Sequence, residues 1–149
     1  MSLQKQIMEQ LKIAMKAKDT VALESLRAVK SAILLAQTET GSKESLTEAQ
    51  ELKILQKLVK QRNDSATLFE EQGREDLAAP EKAQAAVIAQ FLPAQMDESE
   101  IEKIVNEIIV QTGAAGMKDM GKVMGVASKQ MAGKADGKVI STIVKSLLT

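Results

Sequence analysis

Cysteine, histidine, tryptophan and tyrosine are all absent from the 149 residues. Without cysteine there is no disulfide, no thiolate nucleophile and no sulfur-ligated metal. Without histidine the chain lacks the commonest metal ligand and the commonest general base near neutral pH. Phe69 and Phe91 are the only aromatic residues, so any stacking on nucleobases falls to them or to arginine. Proline is confined to Pro80 and Pro93, which leaves most of the chain free of helix breakers. No apolar run approaches the roughly 18 residues of a membrane span. The first residues, with Gln4, Lys5, Gln6 and Glu9, are amphipathic rather than signal-like. A cytoplasmic location without a membrane partner is therefore expected. An excess of one charge is missing too: 20 basic residues balance 20 acidic ones, which argues against a general polyanion binder.

What is present is aliphatic. Hydrophobic residues make up 44% of the chain, enough for a core, and with so few aromatics that core must be Leu, Ile, Val, Ala and the eight methionines. Such side chains suit helix pairs better than a β-sandwich. Leu3, Ile7, Leu11 and Ala14 recur at helical spacing, as do Ala22, Leu26, Val29, Ile33 and Ala36 after a cap at Asp19 or Thr20. Gly41, Ser42 and Lys43 read as a loop. Thr47 and Gln50 make a capping box before a long run through Leu52, Leu55, Val59, Ala66 and Phe69, closed at Gly73. Residues 74–92 predict another helix that starts or kinks between Leu77 and Pro80. After Pro93, Asp97 and Glu100 open a helix with Ile101, Ile104, Val105, Ile108 and Ile109 on one face. A second helix from Lys118 to about Met131 turns Met120, Val123, Met124, Ala127 and Met131 inward, and Asp136 caps a third through Leu148. The expectation is an all-α protein. An N-terminal domain of long helices, residues 1–93, precedes a three-helix bundle, residues 94–149.

Both halves are neutral, yet the second is polarised. Residues 97–107 carry five carboxylates against Lys103, and residues 118–149 carry six lysines against Asp119 and Asp136. The basic stretch contains the least expected feature of the chain, Gly121 and Gly125 one turn apart inside a helix. Each glycine costs about 1 kcal/mol relative to alanine there. Tight packing against another helix is the commoner reason for such a pair. Close approach of a phosphate backbone is the other, with Lys118, Lys122 and Lys129 supplying charge and Lys134 and Lys138 in the GKADGK turn adding more. That turn also offers helix N-terminal N–H groups to a phosphate. The GxxxxGK[ST] phosphate loop is absent, so a nucleotide-hydrolysing site is not indicated. Glu70, Glu71, Glu75 and Asp76 cluster in sequence, and a solvated helix end accounts for them more simply than a cation. No catalytic residue, metal ligand or cofactor is assigned.

FLPAQMDESEIEKIV followed by MKDMGKVMGVASKQMAGKADGKVISTIVKSLL strongly resembles the GatB/YqeY family. LKIAMKAKDTVALESLRAVKSAI and GREDLAAPEKAQAAVIAQFLP extend the likeness to stand-alone YqeY proteins over nearly the whole chain. The resemblance implies an N-terminal helical domain and a three-helix domain similar to the tail of the B subunit of tRNA-dependent amidotransferases. In those enzymes the tail helps engage tRNA while ATP- and metal-using catalysis takes place elsewhere. Nothing here resembles that catalytic cradle or the Ser-Ser-Lys amidase. The resemblance thus implies a non-catalytic module that engages tRNA, and the glycine–lysine stretch offers Lys118, Gly121, Lys122, Gly125, Lys129, Lys134 and Lys138 as the contacts. The alternative is an adaptor or auxiliary subunit for an amidotransferase or aminoacyl-tRNA synthetase. Carbon–nitrogen ligase activity with glutamine as amide donor would then belong to the complex.

Overall fold

The computed structural model describes residues 2–39, 41 and 45–149. Ser42 and Lys43 of the expected loop lie outside the described residues, whereas Gly41 has a φ of 62°. Among the described residues there are seven α-helices, one 3₁₀ turn and no strand. The chain divides into two compact units, residues 1–92 and 93–149.

Four helices build the first unit: α1 (Leu3–Ala17), α2 (Thr20–Glu39), α3 (Glu48–Glu71) and α4 (Glu75–Ala89). Ile7, Leu11 and Ala14 of α1 meet Leu26, Val29 and Ile33 of α2, Leu55 of α3 and Ile88 of α4 in one core. The helix starts follow the sequence signals. Asp19 accepts a hydrogen bond from the Ala22 N–H at 3.1 Å, so it, not Thr20, caps α2. Thr47 and Gln50 form both bonds of their capping box. Helices α3 and α4 reverse through Gly73, whose φ is 72°. The Arg74 N–H reaches back to the Phe69 carbonyl at 2.7 Å and the Gly73 N–H to the Glu70 carbonyl at 3.0 Å. These two bonds close a Schellman turn and satisfy carbonyls that the helix end leaves free.

Helix α4 corrects the expected boundary. It starts at Glu75 and carries Pro80 inside it, which excludes the expected start between Leu77 and Pro80 and matches the alternative of a longer helix that contains Pro80. The Gly73 turn leads through Arg74 directly into the helix, and Glu75 and Asp76 put negative charge on the first turn. Pro80 forgoes the bond toward the Asp76 carbonyl and its ring crowds that carbonyl, in an exposed stretch. Small buried residues on both partners, Ala66, Ala78 and Ala85, let α3 and α4 pack closely. A polar chain adds to this: the Arg62 Nε donates to Gln84 Oε1 at 3.1 Å, and Gln84 Nε2 donates to Glu24 Oε2 at 2.9 Å. It ties α3 through α4 to α2.

The second unit holds α5 (Glu98–Thr112), the 3₁₀ turn Met117–Asp119, α6 (Met120–Gln130) and α7 (Gly137–Leu148). Its core is Ile101, Val105 and Ile108 from α5, Val123 and Ala127 from α6, Met131 and Ala135 from the following turn, and Ile140 and Val144 from α7. Asp97 and Glu100 complete a capping box, and Gly113 ends α5 with a φ of 67°. The Gln95 side chain donates to the Gly133 carbonyl at 2.8 Å, and the Met96 N–H donates to the Lys134 carbonyl at 2.9 Å. The segment entering α5 thereby pins the turn between α6 and α7.

Candidate nucleic-acid interface

Helix α6 faces two ways because 3.6 residues per turn separate its stripes. Val123 and Ala127 are fully buried, and Met120 and Met124 pack beside them. The opposite stripe carries Gly121, Lys122, Gly125, Val126 and Lys129, all exposed. A Cβ built on Gly121 or on Gly125 meets nothing within 4 Å. Tight packing against another helix, the commoner reason for such a pair, is therefore not what this unit uses the glycines for. Neither has a positive φ, so backbone strain does not demand glycine either. Without side chains at these positions the helix surface dips. Gly121, Lys122, Gly125, Val126, Lys129 and Gln130 line an open depression of about 520 Å³.

The structure brings together four of the residues singled out from sequence: Gly121, Lys122, Gly125 and Lys129. Lys118 is exposed on the 3₁₀ turn that leads into α6. Lys134 and Lys138 are also exposed but do not line the depression. Lys122 differs from Lys129 in having an internal contact. Its ammonium lies 3.5 Å from the Thr112 carbonyl, at the C-terminal end of α5, where a cation is favoured. Among the described residues no carboxylate pairs with Lys118, Lys129, Lys134 or Lys138.

The GKADGK turn has the cap expected at Asp136 rather than the alternative of helix N-terminal N–H groups offered to a phosphate. Asp136 Oδ1 accepts from the Lys138 N–H at 3.0 Å, so the N-terminus of α7 already holds a carboxylate. Gly133 is buried with a φ of 75°, and its carbonyl and that of Lys134 bind the 95–96 segment. The backbone of this turn is structural, and its lysine side chains are what it offers to solvent. Val126, 38% exposed, and Gln130 complete the depression and were not singled out from sequence. Their i+4 and i+8 spacing from Lys122 was the available signal.

Two of the four acidic residues in the cluster form ion pairs. Arg74 pairs with Asp76 at 3.0 Å and Lys82 pairs with Glu70. The hydrogen bond from Arg74 holds the Asp76 carboxyl below its ordinary range. Among the described residues no three acidic side chains converge as metal ligands would. No helix there is long and apolar enough to cross a membrane.

The sequence model of the family described as "Yqey-like protein" matches residues 4–148. A glutamyl-tRNA(Gln) amidotransferase subunit of Thermococcus gammatolerans is 38% identical over 81 residues, 52% of this chain and 13% of that protein. Altered inheritance of mitochondria protein 41, mitochondrial, of Clavispora lusitaniae is 38% identical over 104 residues, 66% of this chain and 59% of that protein. Its namesake in Pyrenophora tritici-repentis is 29% identical over 142 residues, 93% of this chain and 76% of that protein. The first two matches thus cover less than two thirds of the relative's own length.

Proposed function

The chain belongs to the YqeY-like family, and on that footing we propose that it is a non-catalytic module that binds tRNA through the exposed glycine–lysine face of α6. The observation that carries the reading is the pair Gly121 and Gly125, open to solvent in one depression with Lys122 and Lys129. Two helix-weakening residues with no internal purpose leave room for an external surface to come close. The flanking lysines make a polyanion backbone the fitting visitor. A relative named for its action on Glu-tRNA(Gln) supports tRNA as the RNA. With only two aromatics in the chain, recognition rests on shape and phosphate contacts rather than on stacked bases.

Titrating the protein with tRNA across a salt series tests this. Binding in the micromolar range or tighter, weakening as salt rises, is expected, and Lys129→Glu weakens it further. Lys129 is the sharper probe, because Lys122 also contacts the end of α5. No binding at low salt would sink the reading. The cytoplasm remains the proposed location, although relatives carry a mitochondrial designation in their names.

A second reading has its own support, the kinship with an amidotransferase component. As an auxiliary subunit the chain would associate with an amidotransferase or aminoacyl-tRNA synthetase and assist amide transfer from glutamine. Adding it to a core amidotransferase then raises the rate. An unchanged rate at saturating protein counts against this reading and leaves tRNA binding standing.

A further inference from the structure

Helices α1 and α2 leave a groove on the first unit that is open among the described residues. Gln4, Ile7, Met8, Lys30, Ile33 and Leu34 line it, and its volume is about 200 Å³. That is below the roughly 300–1,000 Å³ of a small-molecule site and suits the side chains of a docked helix. Ile7 and Ile33 form its floor as core residues, 1% and 2% exposed, while Met8 and Leu34, 42% and 49% exposed, form apolar lips. Methionine on such a lip adapts to different partner side chains.

The charged residue that lines the groove is a cation, and the charges next to its lips are cations too, with Glu9 one turn from Lys5 and Lys12 on the side away from Ile7. Lys30 is the lining cation, Arg27 lies one turn earlier on the same side of α2, and Lys5 and Lys12 lie one turn to either side of Met8 on α1. The acids of these helices face elsewhere. Glu24 accepts from Gln84 of α4, Asp19 caps α2 through the Ala22 N–H, and Glu39 ends α2, more than a turn beyond Leu34. Glu9 lies about 100° around α1 from Met8, beyond Lys5 and Lys12. An apolar slot with a cationic rim complements a helix with an apolar stripe and acidic flanks.

We propose that the α1–α2 groove docks an acidic amphipathic helix of a partner protein. This site lies in the first unit and does not depend on the reading of α6. The probe is a labelled synthetic helix with leucine at i, i+3, i+4 and i+7 and glutamate on its other faces. A twin with lysine in place of glutamate is the control, and fluorescence anisotropy is the readout. The glutamate helix binds the full chain, loses affinity as salt rises, and loses at least about tenfold with Lys30→Glu or Leu34→Ser. Both changes are at exposed positions, and Leu35→Ser, 60% exposed and outside the groove, leaves binding intact. Equal binding of the two helices, binding of neither, or indifference to both groove variants overturns the proposal. So does a dimer in sedimentation equilibrium that Leu34→Ser dissolves, since the occupant would then be a second copy. Flotation with phosphatidylserine vesicles that Leu34→Ser abolishes would also overturn it, in favour of a lipid surface.

Discussion

Glycine inside a helix forgoes about 1 kcal/mol relative to alanine, and at Gly121 and Gly125 nothing stands in the way of a methyl group. Each change to alanine should therefore stabilise the protein by up to about 1 kcal/mol, read as a higher denaturation midpoint. The same changes should weaken tRNA binding, because the added methyls fill the surface where the backbone would approach. A second residue-level expectation concerns Glu51, half-buried in the first turn of α3. Burial, and then repulsion from Glu48, push its carboxyl above the ordinary value of 4.5. The folded state then holds the Glu51 proton to higher pH than the unfolded chain does. The contribution of this group to stability is thus greatest at low pH and falls as pH rises from about 4.5 through the raised value. Glu51→Gln should remove that decline, and Glu48→Gln should lower the Glu51 pKa measured by carboxyl NMR without restoring it fully.

Among the helices, the boundaries marked by a side-chain cap or by a glycine were legible. Thr47, Asp97 and Asp136 each precede an apolar-periodic run and each accepts the expected backbone hydrogen bond, because a cap is a local event between residues two or three apart. The buried stripes were legible for the same reason, since Ile101, Val105 and Ile108 are all at most 2% exposed. Pro80 misled because its cost depends on what precedes it, and the Gly73 turn had already launched α4. The end of α1 gave no signal at all. Lys18 closes it with a φ of 54°, and the Asp19 N–H reaches the Ala14 carbonyl at 3.0 Å. Glycine normally takes this position, since a left-handed conformation costs an L-residue about 1–2 kcal/mol. Lys18→Gly should accordingly stabilise the protein by about 1 kcal/mol, and an unchanged unfolding midpoint would show that the Lys18 stem compensates. What the glycines of α6 face was not readable either: periodicity places them on a stripe, and only the packing of α5, α6 and α7 leaves that stripe uncovered.

At the scale of the molecule, two aliphatic cores support two units, one with its glycine–lysine face on α6 and one with its groove between α1 and α2. A protein of zero net charge has no general attraction for RNA, so the proposed tRNA binding would rest on a few local cations. Removing one of them should lower the slope of log affinity against log salt by about one unit, measured with Lys129→Gln against the unaltered chain. The most direct measurement pairs stability with affinity in the double variant Gly121→Ala/Gly125→Ala, using denaturant unfolding and a low-salt tRNA titration of the same preparation. The account predicts a protein that is more stable and binds tRNA several-fold more weakly. A more stable double variant with unchanged tRNA affinity would contradict it.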